Sequence, residues 1–267
     1  SGFGWSTIQQ IVGRVTTFAV NLALARLLMP EDFGTLAVLG IFLAISAQLA
    51  DIGFGSSLVR SERVDDADLS TVFYYNLGMS CLLYLLLFLA APWIADYFRN
   101  PVLVSVLRVL SLSMVVNSLW SIQAILVWRK MQFRKDMLIQ LAAGVLGGLT
   151  GIVMAYFGYG YWALVGMNLA NSIVRFICYW GSSSWRPKLI FSMEKLKLHF
   201  GYGSRMVGAG MITTLYNNLM TILIGRYFSL STLGLYGNAN ALYIVPVSVL
   251  ADPINKVTFP VFVRFQN

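Results

Sequence analysis

The sequence predicts an all-α, polytopic membrane helix bundle, and three observations carry that prediction. Hydrophobic residues fill 58% of the 267 positions and charged residues only 11%, with a mean hydropathy of +0.71. A water-soluble chain of this size needs more polar surface to coat itself. The apolar residues run in stretches of about 20, the length that crosses a bilayer as helix. Most of the lysines and arginines behind the net charge of +8 flank those stretches, so the charge reads as membrane topology and not as a nucleic-acid surface. A soluble enzyme is excluded on composition alone.

Eight spans are expected, over residues 3–26, 34–59, 70–95, 102–128, 137–157, 160–181, 202–225 and 232–257. They are too long and continuous for the alternating segments of about ten residues that build membrane barrels. The first span has no basic stretch before it and carries Arg14 in its middle, which does not fit a cleaved signal peptide; because the chain opens at Ser1 without Met, a short leader before it is expected. Pro92 in the third span and Pro246, Pro253 and Pro260 in the eighth should kink or break those helices. Trp5, Trp93, Trp120, Trp128, Trp162 and Trp180 fall mostly at span ends, as interfacial belts do. Cys81 and Cys178 lie far apart in apolar runs, and His199 is the single histidine, so neither a disulfide framework nor a metal centre is expected.

Connections after the even spans carry Arg60 and Arg63, then Arg129, Lys130, Arg134 and Lys135, then Arg186, Lys188, Lys195 and Lys197; those after the odd spans carry only Arg26, Arg99 and Arg226. Basic loops are retained in the cytoplasm, which puts the even loops and the N-terminus there. The longest connection, 182–200, mixes Trp185, Phe191 and Leu196 with lysines and reads as an amphipathic cytoplasmic linker between lobes, or else as a plain solvated loop.

The chain also repeats itself. GFG at Gly2–Gly4 answers GYG at Gly201–Gly203, RLLMPEDFG from Arg26 answers RYFSLSTLG from Arg226, LAD ending at Asp51 answers LAD ending at Asp252, and Val59–Arg60 answers Val263–Arg264, at offsets drifting only from 199 to 204. Both copies start on the same membrane side, so the repeat is parallel. The expected organisation is a six-helix N-terminal lobe over 1–181, the linker over 182–200, and the first two helices of a second lobe over 201–267. The chain therefore reads as a piece of a protein of about twelve or more spans, four or more of them after Asn267.

Polar residues inside spans mark the candidate site. Gln10, Arg14, Thr17 and Asn21 share one face of the first span, and Asn168, Asn171 and Arg175 share one face of the sixth,. Thr214, Asn217 and Thr221 repeat the first set in the seventh. Intramembrane charge is costly, so Arg14 should face a cavity. Arg108 and Arg175 lie near span ends, where a long basic side chain reaches headgroups as readily as it lines a cavity. Asp51 is the one clear intramembrane acid of the first lobe, serving either as an ion-coupling group or as a counter-charge.

The run ARLLMPEDFGTLAVLGIFLAISAQLADIGFGSSLVR, the later LSTVFYYNLG, and FPVFVRFQ near the end resemble the polysaccharide transporter branch of the multidrug/oligosaccharidyl-lipid/polysaccharide (MOP) exporter superfamily, the Wzx-type flippases. The similarity covers essentially the whole chain. It implies a two-lobe fold around a central cavity and, as function, transfer of undecaprenyl-diphosphate-linked oligosaccharide repeat units across the bacterial inner membrane for exopolysaccharide or O-antigen synthesis. It implies no catalysis and no cofactor, a proton or sodium ion being compatible as coupling ion but not required, with a polysaccharide polymerase and export machinery as candidate partners. The substrate-binding residues on this reading are Arg14, Gln10, Asn21, Arg108, Asn171 and Arg175. A diphosphate with acidic sugars suits bidentate arginines, and outward passage of each negative charge is downhill by roughly 2.3 kcal/mol per 100 mV. The rival readings are a lipid II flippase and a cation-coupled multidrug antiporter of the same superfamily; a membrane polymerase or ligase would need large catalytic loops that this sequence lacks.

Overall fold

The computed structural model describes the backbone of residues 2–51, 53–61, 64–241 and 243; the side chains of residues 2–12, Arg14, Asp51, Ser56, Arg60, 197–207 and Ala209 lie outside that description. Among the described residues every regular element is helical. In order these are α1 (Gly2–Leu27), α2 (Pro30–Asp51), α3 (Phe54–Arg60), α4 (Asp66–Tyr97), α5 (Val102–Leu110), α6 (Leu112–Arg129), α7 (Phe133–Tyr156), α8 (Tyr161–Ser182) and α9 (Met193–Tyr227), with a further helical run, α10, over 230–241. Among the described residues four runs are long and apolar enough to cross a membrane: α2 as far as Ala50, α4, α5 with α6, and α7.

The helix starts follow from local chemistry. Pro30 opens α2, where a missing N–H is harmless, and the Asp32 carboxylate accepts the Met29 N–H at 3.0 Å. Asp65 caps α4 by accepting the Asp68 N–H at 2.8 Å while Asp68 accepts the Asp65 N–H at 3.0 Å, a reciprocal box that satisfies two otherwise orphan donors. Ser192 caps α9.

Four expectations change. The second span is not one helix: it breaks ahead of Gly53, whose φ of 72° lies in the left-handed region that glycine enters without penalty,. The fourth span divides at Ser111, whose hydroxyl bonds the Leu107 and Arg108 carbonyls while Ser113 bonds Leu110; such back-bonding competes with the helical ladder. Pro92 does not end its helix, which continues to Tyr97. The stretch expected as linker over 182–200 is extended only as far as Ser192, after which α9 runs unbroken through the expected seventh span. The proline-interrupted part of the eighth span, from residue 244 onward, lies outside the described residues.

The extended strap is not a loose loop. Backbone N–H groups of Lys188 and Ser192 donate to the buried hydroxyls of Ser70 and Thr71 on α4, and Trp185 packs edge-on against Phe73 at 6.2 Å. Lys188 pairs with Asp66 at 2.6 Å and Lys195 with Asp65 and Asp68 at 3.1 Å each. At the same end Arg129 donates to the Leu58 and Ser61 carbonyls and Lys135 to that of Ser182, so these basic residues stitch the interhelical ends together.

At the opposite end the two copies of the sequence repeat meet. A Cβ built on Gly34 would overlap the Leu230 carbonyl, and one on Gly234 would overlap the Pro30 carbonyl. The pairs 34/230 and 234/30 exchange under the 200-residue offset, so the contact is reciprocal. Arg226 also bonds the Tyr97 carbonyl there and lies 4.5 Å over its ring. The main core joins α2, α4, α5 and Val165 of α8 to Leu233 of α10. A second cluster ties α3, α4 and α6 to the strap through Trp185 and to the start of α9 through Leu196. A third joins α1, α7 and α8, and close approach of α7 to α8 at Gly147 and Gly151 brings their polar faces together.

Candidate functional site

The α1, α7 and α8 faces enclose a cavity of about 450 Å³ whose wall includes Thr17, Asn21, Gln140, Asn168, Asn171 and Arg175. Helical spacing explains the convergence. Thr17 and Asn21 lie one turn apart on α1, and Asn168, Asn171 and Arg175 repeat at three and four residues on α8. Thr17 and Asn168 donate back to the Gly13 and Leu164 carbonyls at 2.9 Å, while Gln140 donates to Asp136 at 2.8 Å.

Arg175 is the shared wall between this cavity and a larger one of about 700 Å³ bounded by α2, α3, α4, α6 and α8. Its guanidinium lies 5.5 Å from the centre of the Trp120 ring, which in turn stacks on Tyr179 at 5.2 Å with an interplanar angle of 10°. Its Nε is buried without a hydrogen-bond partner, and among the described residues no carboxylate pairs with it. A buried guanidinium N–H left open in this way can donate to an anion.

Of the residues singled out from sequence, Thr17, Asn21, Asn168, Asn171 and Arg175 come together at this cavity. Arg108 does not line either cavity: its Nε donates to the Phe88 carbonyl at 3.3 Å and its guanidinium lies 4.1 Å over the Phe88 ring. Thr214, Asn217 and Thr221 line neither. The side chains of Gln10, Arg14 and Asp51 lie outside the described residues. Trp120, expected at an interface, is part of the cavity wall.

Sequence reasoning overlooked Asp136. It is 1% exposed, accepts the Tyr179 hydroxyl and the Gln140 amide, and lies in the first turn of α7. Asp136 thus adds a buried acid at the start of α7. Asp136 was hidden among Arg134 and Lys135, which read as loop charge; its four-residue spacing to Gln140, on a face shared with Gly144, was the available signal. Asn76, 5% exposed and facing the larger cavity, was also missed. Outside the spans, the Asp68 N–H and then Lys195 hold the Asp65 carboxyl down at about 2, and Asp65 and Asp68 push the Lys195 ammonium up. Among the described residues no three His, Cys, Asp or Glu side chains gather as metal ligands.

Comparison with known proteins places this geometry in a family. The profile of the polysaccharide biosynthesis protein family matches residues 23–267. The succinoglycan biosynthesis transport protein ExoT of Rhizobium meliloti is 27% identical over 97% of this chain and 52% of its own length. The lipopolysaccharide biosynthesis protein WzxC of Escherichia coli is 28% identical over 100% and 55%, and the teichuronic acid biosynthesis protein TuaB of Bacillus subtilis is 24% identical over 80% and 45%. The chain spans about half the length of these relatives. Among solved structures, an inward-facing multidrug resistance MATE transporter of the MOP superfamily aligns with a TM-score of 0.60 and 17% identity over 89% of this chain and 59% of that one, a likeness of fold. With the helical bundle, the internal repeat and the family match in hand, the chain belongs to the polysaccharide biosynthesis protein family and has the fold of a polytopic MOP-superfamily membrane protein.

Proposed function

We propose that the protein is a flippase that moves undecaprenyl-diphosphate-linked oligosaccharide across the bacterial inner membrane by alternating access through a cationic cavity. The observation that carries this reading is half-buried Arg175, whose buried Nε has no hydrogen-bond partner among the described residues, set among Asn21, Asn168 and Asn171. Amides, hydroxyls and a guanidinium bind and release a diphosphate or an acidic sugar without chemistry, which suits transport and not catalysis. The family and the polysaccharide-related names of the relatives support the saccharide. By spacing, Gln10 and Arg14 extend the α1 face that carries Thr17 and Asn21, and Asp51 is the counter-charge or the coupling site for a proton or sodium ion.

On this reading residues 1–181 form the first lobe and 201–267 begin the second. The basic end, with the strap and the N-terminus, faces the cytoplasm, and the Gly34–Gly234 contact closes the periplasmic side. Polymerase and export machinery receive the product. A second reading, cation-coupled antiport, is favoured by the buried carboxylate Asp136. The two separate in liposomes holding the full-length protein: movement of a fluorescent lipid-linked oligosaccharide between leaflets is the expected result, whereas proton-driven uptake of a cationic dye with no saccharide movement overturns the flippase.

A further inference from the structure

The larger cavity has a chemistry of its own. Its α4 wall carries Asn76, 5% exposed, whose amide oxygen is buried without a hydrogen bond, and one turn on Ser80, 2% exposed. Its α6 wall carries Asn117 and Ser121, also one turn apart. The Asn117 oxygen accepts the Trp120 indole N–H at 3.2 Å, which leaves the amide nitrogen as the group this lining residue can offer a ligand,. Arg175 brings a buried, unpartnered Nε from α8, and Trp128, 51% exposed, stands among the lining residues.

A hydrocarbon chain would leave the Asn76 oxygen and the Arg175 N–H unsatisfied in a dry site, where each unmade bond is costly. A bare anion would answer Arg175 alone. A ligand that satisfies all of these groups at once must donate hydroxyls, accept an amide N–H, present an apolar ring face to an indole, and carry negative charge.

The geometry points to a second binding site: the larger cavity holds a sugar ring bearing an anionic group, with hydroxyls on Asn76 and Asn117 and the anion on Arg175. The site rests on the saccharide-transport reading and deepens it by naming an acidic or phosphorylated hexose as the unit recognised. Arg175 then serves both cavities, so a single guanidinium senses the charged part of the substrate from either side.

Isothermal titration of the purified full-length protein with glucuronate, glucose 1-phosphate, glucose and acetate tests it. One of the two anionic sugars binds saturably, and glucose and acetate bind about tenfold more weakly, each lacking one class of contact. Preference for glucuronate assigns the anion to an acidic sugar, and preference for glucose 1-phosphate assigns it to a sugar phosphate. Asn76→Leu removes an unsatisfied buried amide, so it raises the melting temperature while losing sugar binding, a combination that a merely structural asparagine would not produce. Arg175→Gln abolishes the preference for the anionic sugars over glucose. Acetate binding as tightly as the anionic sugars, unchanged binding in Asn76→Leu, or no saturable sugar binding overturns the site. Lipid-linked saccharide movement is measured in parallel: transport without sugar binding removes this site and leaves the transport reading standing, while sugar binding without transport does the reverse.

Discussion

Arg108 donates its Nε to the Phe88 carbonyl at 3.3 Å, the oxygen that residue 92 would bond in a regular helix and cannot, because residue 92 is proline. The arginine supplies from α5 the donor that α4 lacks, and its guanidinium covers the Phe88 ring at 4.1 Å. This explains both how α4 passes through Pro92 to Tyr97 and why an intramembrane arginine lines neither cavity.

Arg108→Ala should therefore lower stability by about 2 kcal/mol, a charged hydrogen bond plus a cation–π contact. In a Pro92→Ala background, where the restored N–H bonds Phe88, the same change should lose about half as much. Thermal unfolding of the four proteins in one detergent gives the coupling; additive effects would contradict the pairing.

Gly34 and Gly234 make the second prediction. Alanine in a helix is ordinarily favoured over glycine by about 1 kcal/mol, but here each new methyl meets the backbone carbonyl of the opposing segment. Gly34→Ala and Gly234→Ala should both destabilise, by similar amounts of about 1–3 kcal/mol. Stabilisation by either, read from melting curves, would show that the two segments do not touch.

The strap over α4 gives a pH prediction. Asp65 is held down at about 2, so its contribution is complete above the ordinary carboxylate value and fades as pH falls toward 2; Lys195 is raised, so its contribution is complete below its ordinary value and is lost only as pH rises beyond it,. Hydrogen-exchange protection of residues 183–192 should be flat from about pH 5 to 9 and drop below about pH 4. Because Asp65 is 59% exposed, high salt should weaken the protection only slightly. A transition near neutrality would mean that another group controls the strap.

Tyr179→Phe should cost about 1–3 kcal/mol, because it strips a donor from the buried Asp136 carboxylate,. Adding Asp136→Leu should recover part of that loss. No recovery in the double variant, measured by thermal unfolding, would show that the tyrosine acts by packing alone.

Much of the bundle was legible because a bilayer demands long apolar runs, and α4 and α7 announce themselves that way. The breaks were not. The expected spans run on through Ile52–Gly53 and through Ser111, where one backbone dihedral or one serine hydroxyl decides the matter. The convergence of Asn21, Asn171 and Arg175 could be read because helical spacing fixes faces within α1 and α8, and the third partner, α7, escaped because its polar members Asp136 and Gln140 begin beside a basic loop. Arg108 misled for the opposite reason: its partner is a carbonyl exposed by a proline 16 residues upstream, a relationship that exists only once α4 and α5 pack. The paired glycines were visible as a repeated motif, but their role required seeing the repeats touch.

In the proposed transport cycle Arg175 meets the anionic part of a lipid-linked saccharide. The most direct test is the initial rate of fluorescent lipid-linked oligosaccharide movement in liposomes carrying the full-length protein with Arg175, Arg175→Lys or Arg175→Gln at equal protein density. Lysine keeps the charge and loses the fork, so its rate should fall about tenfold, and glutamine should fall about a hundredfold, with melting temperatures unchanged or raised. Equal rates for all three proteins would mean that Arg175 does not meet the substrate's anionic group.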